Sequence, residues 1–173
     1  MPRAAPDSLP VIRPAERADV LRLVQLVRAL ADYEQALAEV ELTPELLTDA
    51  LFGVDPSAGV LVATDGVTGP VVGFALWFRT FSTWTGRPGL YLEDLFVEPE
   101  HRAAGHGRDL LAALARYAVA RGWRRLDWWV LDWNTPAIGF YRRLGATAMD
   151  TWTTYRLAGA ALIELAAPAG DAA

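Results

Sequence analysis

The chain has no cysteine and no lysine, so all 16 of its basic residues are arginine. Without cysteine there is no disulfide, no thiolate metal site and no thiol nucleophile. Without lysine, neither a Walker-type phosphate loop nor Schiff-base chemistry is available. Histidine is limited to His101 and His106, too few for a histidine-rich cage, and no metal is expected. Serine stands only at Ser8, Ser57 and Ser82, none in a G-x-S-x-G turn, which argues against a serine hydrolase. No stretch approaches the roughly 20 apolar residues of a membrane span. Three prolines in Met1–Pro10 replace the apolar core of a signal peptide. These absences predict a cytoplasmic protein without a membrane partner. The same reading predicts a flexible arm (1–9), one domain (10–165) and a flexible tail (166–173).

What is present fits a globular core: 173 residues, 53% hydrophobic and 21% charged. The net charge of -5 is unevenly spread. Arg102, Arg108, Arg116, Arg121, Arg124 and Arg125 face a single acid, Asp109, within one segment. That acidic background does not suit a nucleic-acid partner, which needs broad positive surface. It suits a small polyanion held at one place.

Periodicity predicts the elements. A strand at 11–13 precedes a helix from Glu16 to Tyr33, with Val20, Leu23, Val24, Val27, Leu30 and Ala31 on one face. Thr43-Pro44 opens a second helix, running to Leu51 and stopped by Gly53. Strands follow at Gly59–Thr64, Val71–Thr80 and Leu90–Val97, with a long loop at 81–89. A helix from Gly105 to Gly122, a strand over 124–131 and a helix over 137–144 come next. Two closing strands are expected at 149–157 and 160–165, the last with a helical alternative. The order implies an α/β domain with a mixed sheet and helices on both faces.

Three segments carry candidate chemistry. Arg102-Ala103-Ala104-Gly105-His106-Gly107 lies between a strand and a helix start, where backbone N–H groups and the helix dipole favour an anion. It reads equally as a glycine-rich turn. Leu92-Glu93-Asp94-Leu95-Phe96-Val97 puts two acids on a strand, where regular pleating points them to opposite faces. A carboxylate among apolar neighbours can serve as a proton acceptor, although such acids more often sit at strand ends. Trp133-Asn134-Thr135-Pro136 caps a helix on which Tyr141 lies one position off the face of Phe140 and Leu144. A tyrosine of ordinary pKa ~10 is able to protonate a thiolate whose thiol has pKa ~8.5, but an isolated one is more often a packed surface aromatic.

Taken together, L-E-D-L-F-V, R-x-x-G-x-G and W-N-x-P-A-x-x-F-Y-x-x-L-G resemble the GNAT superfamily of acetyl-CoA-dependent N-acetyltransferases. Ile12-Arg13-Pro14-Ala15, Ala31-Asp32-Tyr33-Glu34, Val72-Gly73-Phe74-Ala75 and Tyr91-Leu92-Glu93-Asp94 resemble its spermidine/spermine (diamine) branch, which includes thialysine-type enzymes. The resemblance spans roughly 11–157 and implies a mostly antiparallel, twisted mixed sheet flanked by helices. It also implies that Leu95, Phe96 and Val97 pair with the pantetheine arm of acetyl-CoA. Arg102, Ala103, Ala104, Gly105, His106, Gly107 and Arg108 would wrap its pyrophosphate, and Asn134, with Pro136, would contact the arm. Tyr141 would protonate the CoA sulfur, and Glu93 would help deprotonate the amine. Tyr33, Glu34, Trp84 and Asp94 would line the amine site, and the protein would be a homodimer.

The chemistry agrees. A primary amine of pKa ~10.4 is about one part in a thousand neutral at physiological pH, a cost of roughly 4 kcal/mol, so a proton acceptor is needed. With no cysteine and no serine–histidine pair, direct attack in a ternary complex is expected rather than an acyl-enzyme. Polyamine enzymes carry more acids after the Tyr-Glu pair, where this chain has Gln35-Ala36-Leu37-Ala38, and an acid where Ser82 stands. A lysine-like amine, which needs fewer carboxylates, therefore fits at least as well. The rival readings are a non-catalytic acyl-CoA sensor, which would not require Glu93 and Tyr141, and a protein N-acetyltransferase, which would need an open groove.

Overall fold

The alternation of apolar residues becomes a five-stranded sheet in the computed structural model, which describes residues 11–167. Its strands are β1 (Val11–Pro14), β2 (Gly59–Thr64), β3 (Val71–Ser82), β4 (Arg87–Val97) and β5 (Leu126–Asp127), in that spatial order. Strands β1 to β4 pair antiparallel and β5 joins β4 in parallel. The helices are α1 (Val20–Tyr33), α2 (Pro44–Phe52), α3 (His106–Ala120), α4 (Thr135–Arg143) and α5 (Gly159–Ala166). The described residues form two compact units, one ending at Trp129 and one starting at Val130.

In the first unit, Val20, Leu23 and Leu26 of α1 and Leu47 and Leu51 of α2 pack on Val60, Val62, Phe74 and Phe96 of the sheet. Each such burial is worth roughly 1.5–3 kcal/mol. Trp77, three residues after Phe74, points to the other face, where its ring meets Tyr117 of α3 at 4.6 Å. Helix α3 buries Leu110, Leu111, Leu114 and Ala118 there, so both faces are covered as expected.

The helix boundaries follow their local chemistry. Thr43 caps α2 by accepting from the Leu46 N–H at 3.3 Å. Helices α3 and α4 end alike: Gly122 and Gly145 take left-handed φ of 69° and 88°. Their N–H groups, and those of the residues after them, return to the last turn of each helix.

Three expectations need correction. The strand expected over 124–131 shrinks to Leu126–Asp127, because only Leu90 and Tyr91 of β4 pair with it. No strand forms at 149–157, where Met149, Trp152 and Tyr155 are exposed. Their β-prone composition cannot make a strand without a ladder partner. Residues 160–165 take their helical alternative, lying in α5, in keeping with the helix formers Ala, Leu and Glu. The loop expected at 81–89 is also shorter, because Phe81 pairs with Pro88 and Ser82 with Arg87, leaving only 83–86 as the hairpin tip. The expected arm and the tail from 168 onward lie outside the described residues, and α5 includes Ala166.

Candidate active site

The pairing of β3 with β4 slips by one residue in the middle. Leu76 faces Asp94 while its neighbour Trp77 faces Leu92, which leaves Glu93 as an extra residue. This is a β-bulge, and it breaks the regular alternation expected for Glu93 and Asp94. Leu92 and Asp94 would share a face in a regular strand. Here they stand opposite adjacent β3 residues and so on opposite faces. A bulge also bends its strand, which accounts for β5 meeting β4 only before this point.

The bulge gathers negative charge. Burial is the largest cause raising the Asp94 carboxyl to about 6, with the charges of Glu93 and Glu34 adding to it. Glu34, the residue that ends α1, is itself raised by burial. On the near side of the bulge, burial first, then Glu93 and Asp127, push the Tyr91 hydroxyl up to about 12. Its ring stacks on Phe78 at 5.0 Å and meets the edge of Trp129 at 5.7 Å. Glu34, from the end of α1, and Glu93, from the bulge, thus both act on Asp94. Trp84 stands 89% exposed at the hairpin tip.

Beyond the bulge, one edge of β4 is open. The Glu98 N–H donates to the Val72 carbonyl at 3.0 Å, so by alternation Phe96 also directs its backbone groups to β3. Leu95 and Val97 therefore present theirs to the opposite edge, where no strand of the described residues pairs with them. The Val97 carbonyl there accepts from Arg102 Nε at 2.9 Å. The Arg102 guanidinium also lies 4.9 Å from the Tyr33 ring centre and 5.6 Å from that of Phe96. Arg102 thus clamps the end of the open edge to the end of α1.

The turn that follows is shaped for backbone recognition. Ala103 has φ 64° and Gly105, the residue capping α3, has φ 102°. No side chain caps this helix start, and its first helical bond is Asp109 N–H to the Gly105 carbonyl. The N–H groups of His106, Gly107 and Arg108 precede that bond, and they are the helix donors suited to an anion. The ring of His106 itself is buried, at 2% exposure, while Ala104 and Arg108 are exposed.

The remaining candidates lie in the second unit. Asn134 caps α4, its side-chain oxygen accepting from the Ala137 N–H at 3.3 Å, and Pro136 sits in the first turn. Tyr141 is half-buried, its ring 5.3 Å from that of Phe140. The sequence reading missed the bulge, the shifted carboxyl of Asp94 and the clamp made by Arg102. No local signal announces the bulge, since Leu92-Glu93-Asp94 contains neither glycine nor proline.

A sequence profile described as the Acetyltransferase (GNAT) family matches residues 23–146. A thialysine N-epsilon-acetyltransferase of Bos taurus is 38% identical over 165 residues, covering 90% of this chain and 96% of the relative. A spermidine/spermine N(1)-acetyltransferase-like protein 1 of Homo sapiens is 32% identical over 164 residues, which is 90% of this chain but 23% of that protein. Among solved structures, an integron cassette protein from the mobile metagenome of V. cholerae superposes with a TM-score of 0.75. It is 27% identical and covers 91% of this chain and 97% of its own. With a profile covering most of the sheet and helices, and a relative matched along nearly its whole length, the chain belongs to the GNAT family of acetyltransferases.

Proposed function

We propose that this acetyltransferase transfers the acetyl group of acetyl-CoA to the primary amine of a small molecule, a lysine-like amine ahead of a polyamine. The observation that carries this reading is the cluster of Glu34, Glu93 and Asp94 beside the open edge of β4. Negative charge attracts an alkylammonium group, and three carboxylates suit one or two cationic centres better than a longer polyamine. The thialysine enzyme matched above supports the same class.

The chain's features fit the co-substrate. The Leu95 backbone groups and the Val97 N–H, on the open edge, suit an amide-bearing arm, with Phe96 between them, and the N–H groups of His106, Gly107 and Arg108 suit a pyrophosphate. Arg102, Ala103, Ala104 and Gly105 frame that cradle. Asn134 and Pro136 would contact the arm. Acetyl-CoA supplies an activated thioester. Glu93 takes the proton from the ammonium group, directly or through water, so that the neutral nitrogen attacks the acetyl carbon. The Tyr141 hydroxyl gives a proton to the departing sulfur. Asp94 and Glu34 hold the cation, and Tyr33 and Trp84 flank it.

The family profile crosses the junction between the two units, which supports one acetyltransferase domain over 10–165. A homodimer and a cytoplasmic location belong to the same proposal. No helix among the described residues is long and apolar enough to cross a membrane.

Thiol release from acetyl-CoA across thialysine, lysine, ornithine, spermidine, putrescine and short peptides tests the function. Turnover is expected with the lysine-like amines and less with the polyamines. Peptide turnover alone would instead support a protein N-acetyltransferase. Tight CoA binding with silence across the panel would favour a sensor. The cradle has its own test, in which Gly105→Val and Arg102→Ala each weaken CoA binding. An added Cβ at 105 meets no crowding, its nearest atom being Asp109 Oδ2 at 3.8 Å, but φ 102° strains any β-branched residue. Alanine at 102 releases the Val97 carbonyl. Unchanged CoA affinity in calorimetry of both folded variants would remove the cradle from the proposal.

A further inference from the structure

The two histidines of the chain, five positions apart in sequence, come together with an aspartate from a distant turn. His101 ends the short 3-10 turn Pro99–His101 after β4, His106 is the first residue of α3, and Asp65 follows β2. The imidazole centres are 6.2 Å apart, and His101 Nδ1 lies 3.8 Å from Asp65 Oδ2. That separation is too long for a hydrogen bond, so no such bond between them must break for the pair to turn toward something else. One ligand atom from each of the three side chains lies within 4.8 Å of the others. The ring of His106 is 2% exposed, yet its Nδ1 has no hydrogen-bond partner among the described residues. A buried ring nitrogen without a partner calls for one.

We infer that Asp65, His101 and His106 form a binding site for a divalent transition-metal ion, with zinc the best match to two imidazoles and a carboxylate. Three protein ligands with a fourth position left to water is a common zinc arrangement. Tetrahedral zinc at 2.0–2.1 Å from nitrogen would set its donor atoms about 3.3 Å apart. Asp65 is exposed and His101 partly so, which leaves both side chains room to turn toward that spacing. The alternative trio of Glu98, Glu100 and His101 is weaker, because Glu98 already pairs with Arg22 at 2.6 Å. An ion at the favoured site would staple the β2–β3 turn, the turn after β4 and the start of α3.

The test uses the full chain without an affinity tag, stripped with a chelator, and titrated with zinc by calorimetry and with cobalt by visible absorption. One ion per chain and a tetrahedral cobalt spectrum are expected. Only two imidazoles exist, so nitrogen-15 spectra of labelled histidine would show both shifting on zinc addition. Asp65→Asn and His101→Ala should each lose more affinity than the roughly 10–100-fold caused by removing a supporting partner of a ligand. Glu100→Gln should bind as the parent does, and circular dichroism of the metal-free variants checks their folding. Absence of stoichiometric binding, or full affinity retained in Asp65→Asn, would overturn the site.

Discussion

Replacing Asp94 with asparagine is expected to raise stability at neutral pH while it lowers activity. The carboxyl is raised from 3.8 to about 6 in the folded protein, first by burial and then by Glu93 and Glu34. Between those values the folded state binds more protons than the unfolded state. Its contribution is therefore fully present below about pH 4 and is lost as pH rises through about 6. Near pH 7.5 the ionised group opposes folding by on the order of 2 kcal/mol, given about 1.4 kcal/mol per pKa unit and some solvent screening. Asparagine removes that opposition. For a chain of this length the melting temperature should rise by roughly 4–8 °C at pH 7.5, with little or no gain at pH 4.

The same change removes a charge from the proposed amine site. A hydrogen bond to a charged group is worth roughly 1.5–3 kcal/mol, so kcat/KM for the amine should fall by about 10–100-fold. CoA binding should be unaffected. Equal stability gains at both pH values would show that Asp94 is not the titrating group. An unchanged kcat/KM would take it out of the amine site.

Tyr141→Phe should have the larger effect on rate. The substitution keeps the ring that packs beside Phe140 and deletes only the hydroxyl. A positioned general acid contributes about 100- to 10,000-fold, and kcat should fall within that range while CoA affinity stays the same. A more basic leaving thiolate needs the proton more. Pantetheine analogues whose thiols have lower pKa should therefore rescue the variant more than the parent. If the phenylalanine variant turns over as fast as the parent, the proton comes from elsewhere and Tyr141 is a packing residue.

Much of this architecture was legible because the signals are local. The Thr43-Pro44 start of α2, the glycines that end α3 and α4, and the Asn134 cap each act within a few residues. The apolar stripe of α1 reads directly from its spacing, and Leu23 and Leu26 are buried where it predicts. Met149–Leu157 shows the limit of this reasoning. Its threonines and aromatics favour a strand, but a strand is a relation between two segments, and none of the described residues pairs with it.

By itself, the sequence determined the mixed α/β character, the excluded chemistries, the glycine turn before α3 and the acids available for an amine. Those properties depend on residue type and on spacing along the chain. Only the tertiary structure decided that Glu93 is the extra residue of a bulge, because this depends on the register between Leu76 and Asp94. It also decided that the Leu95 and Val97 edge is open, that Arg102 clamps it, and that Glu34 adds its charge to Asp94. Strand register and burial are set by pairing between residues far apart in the chain, and short-range periodicity carries no record of which partners meet.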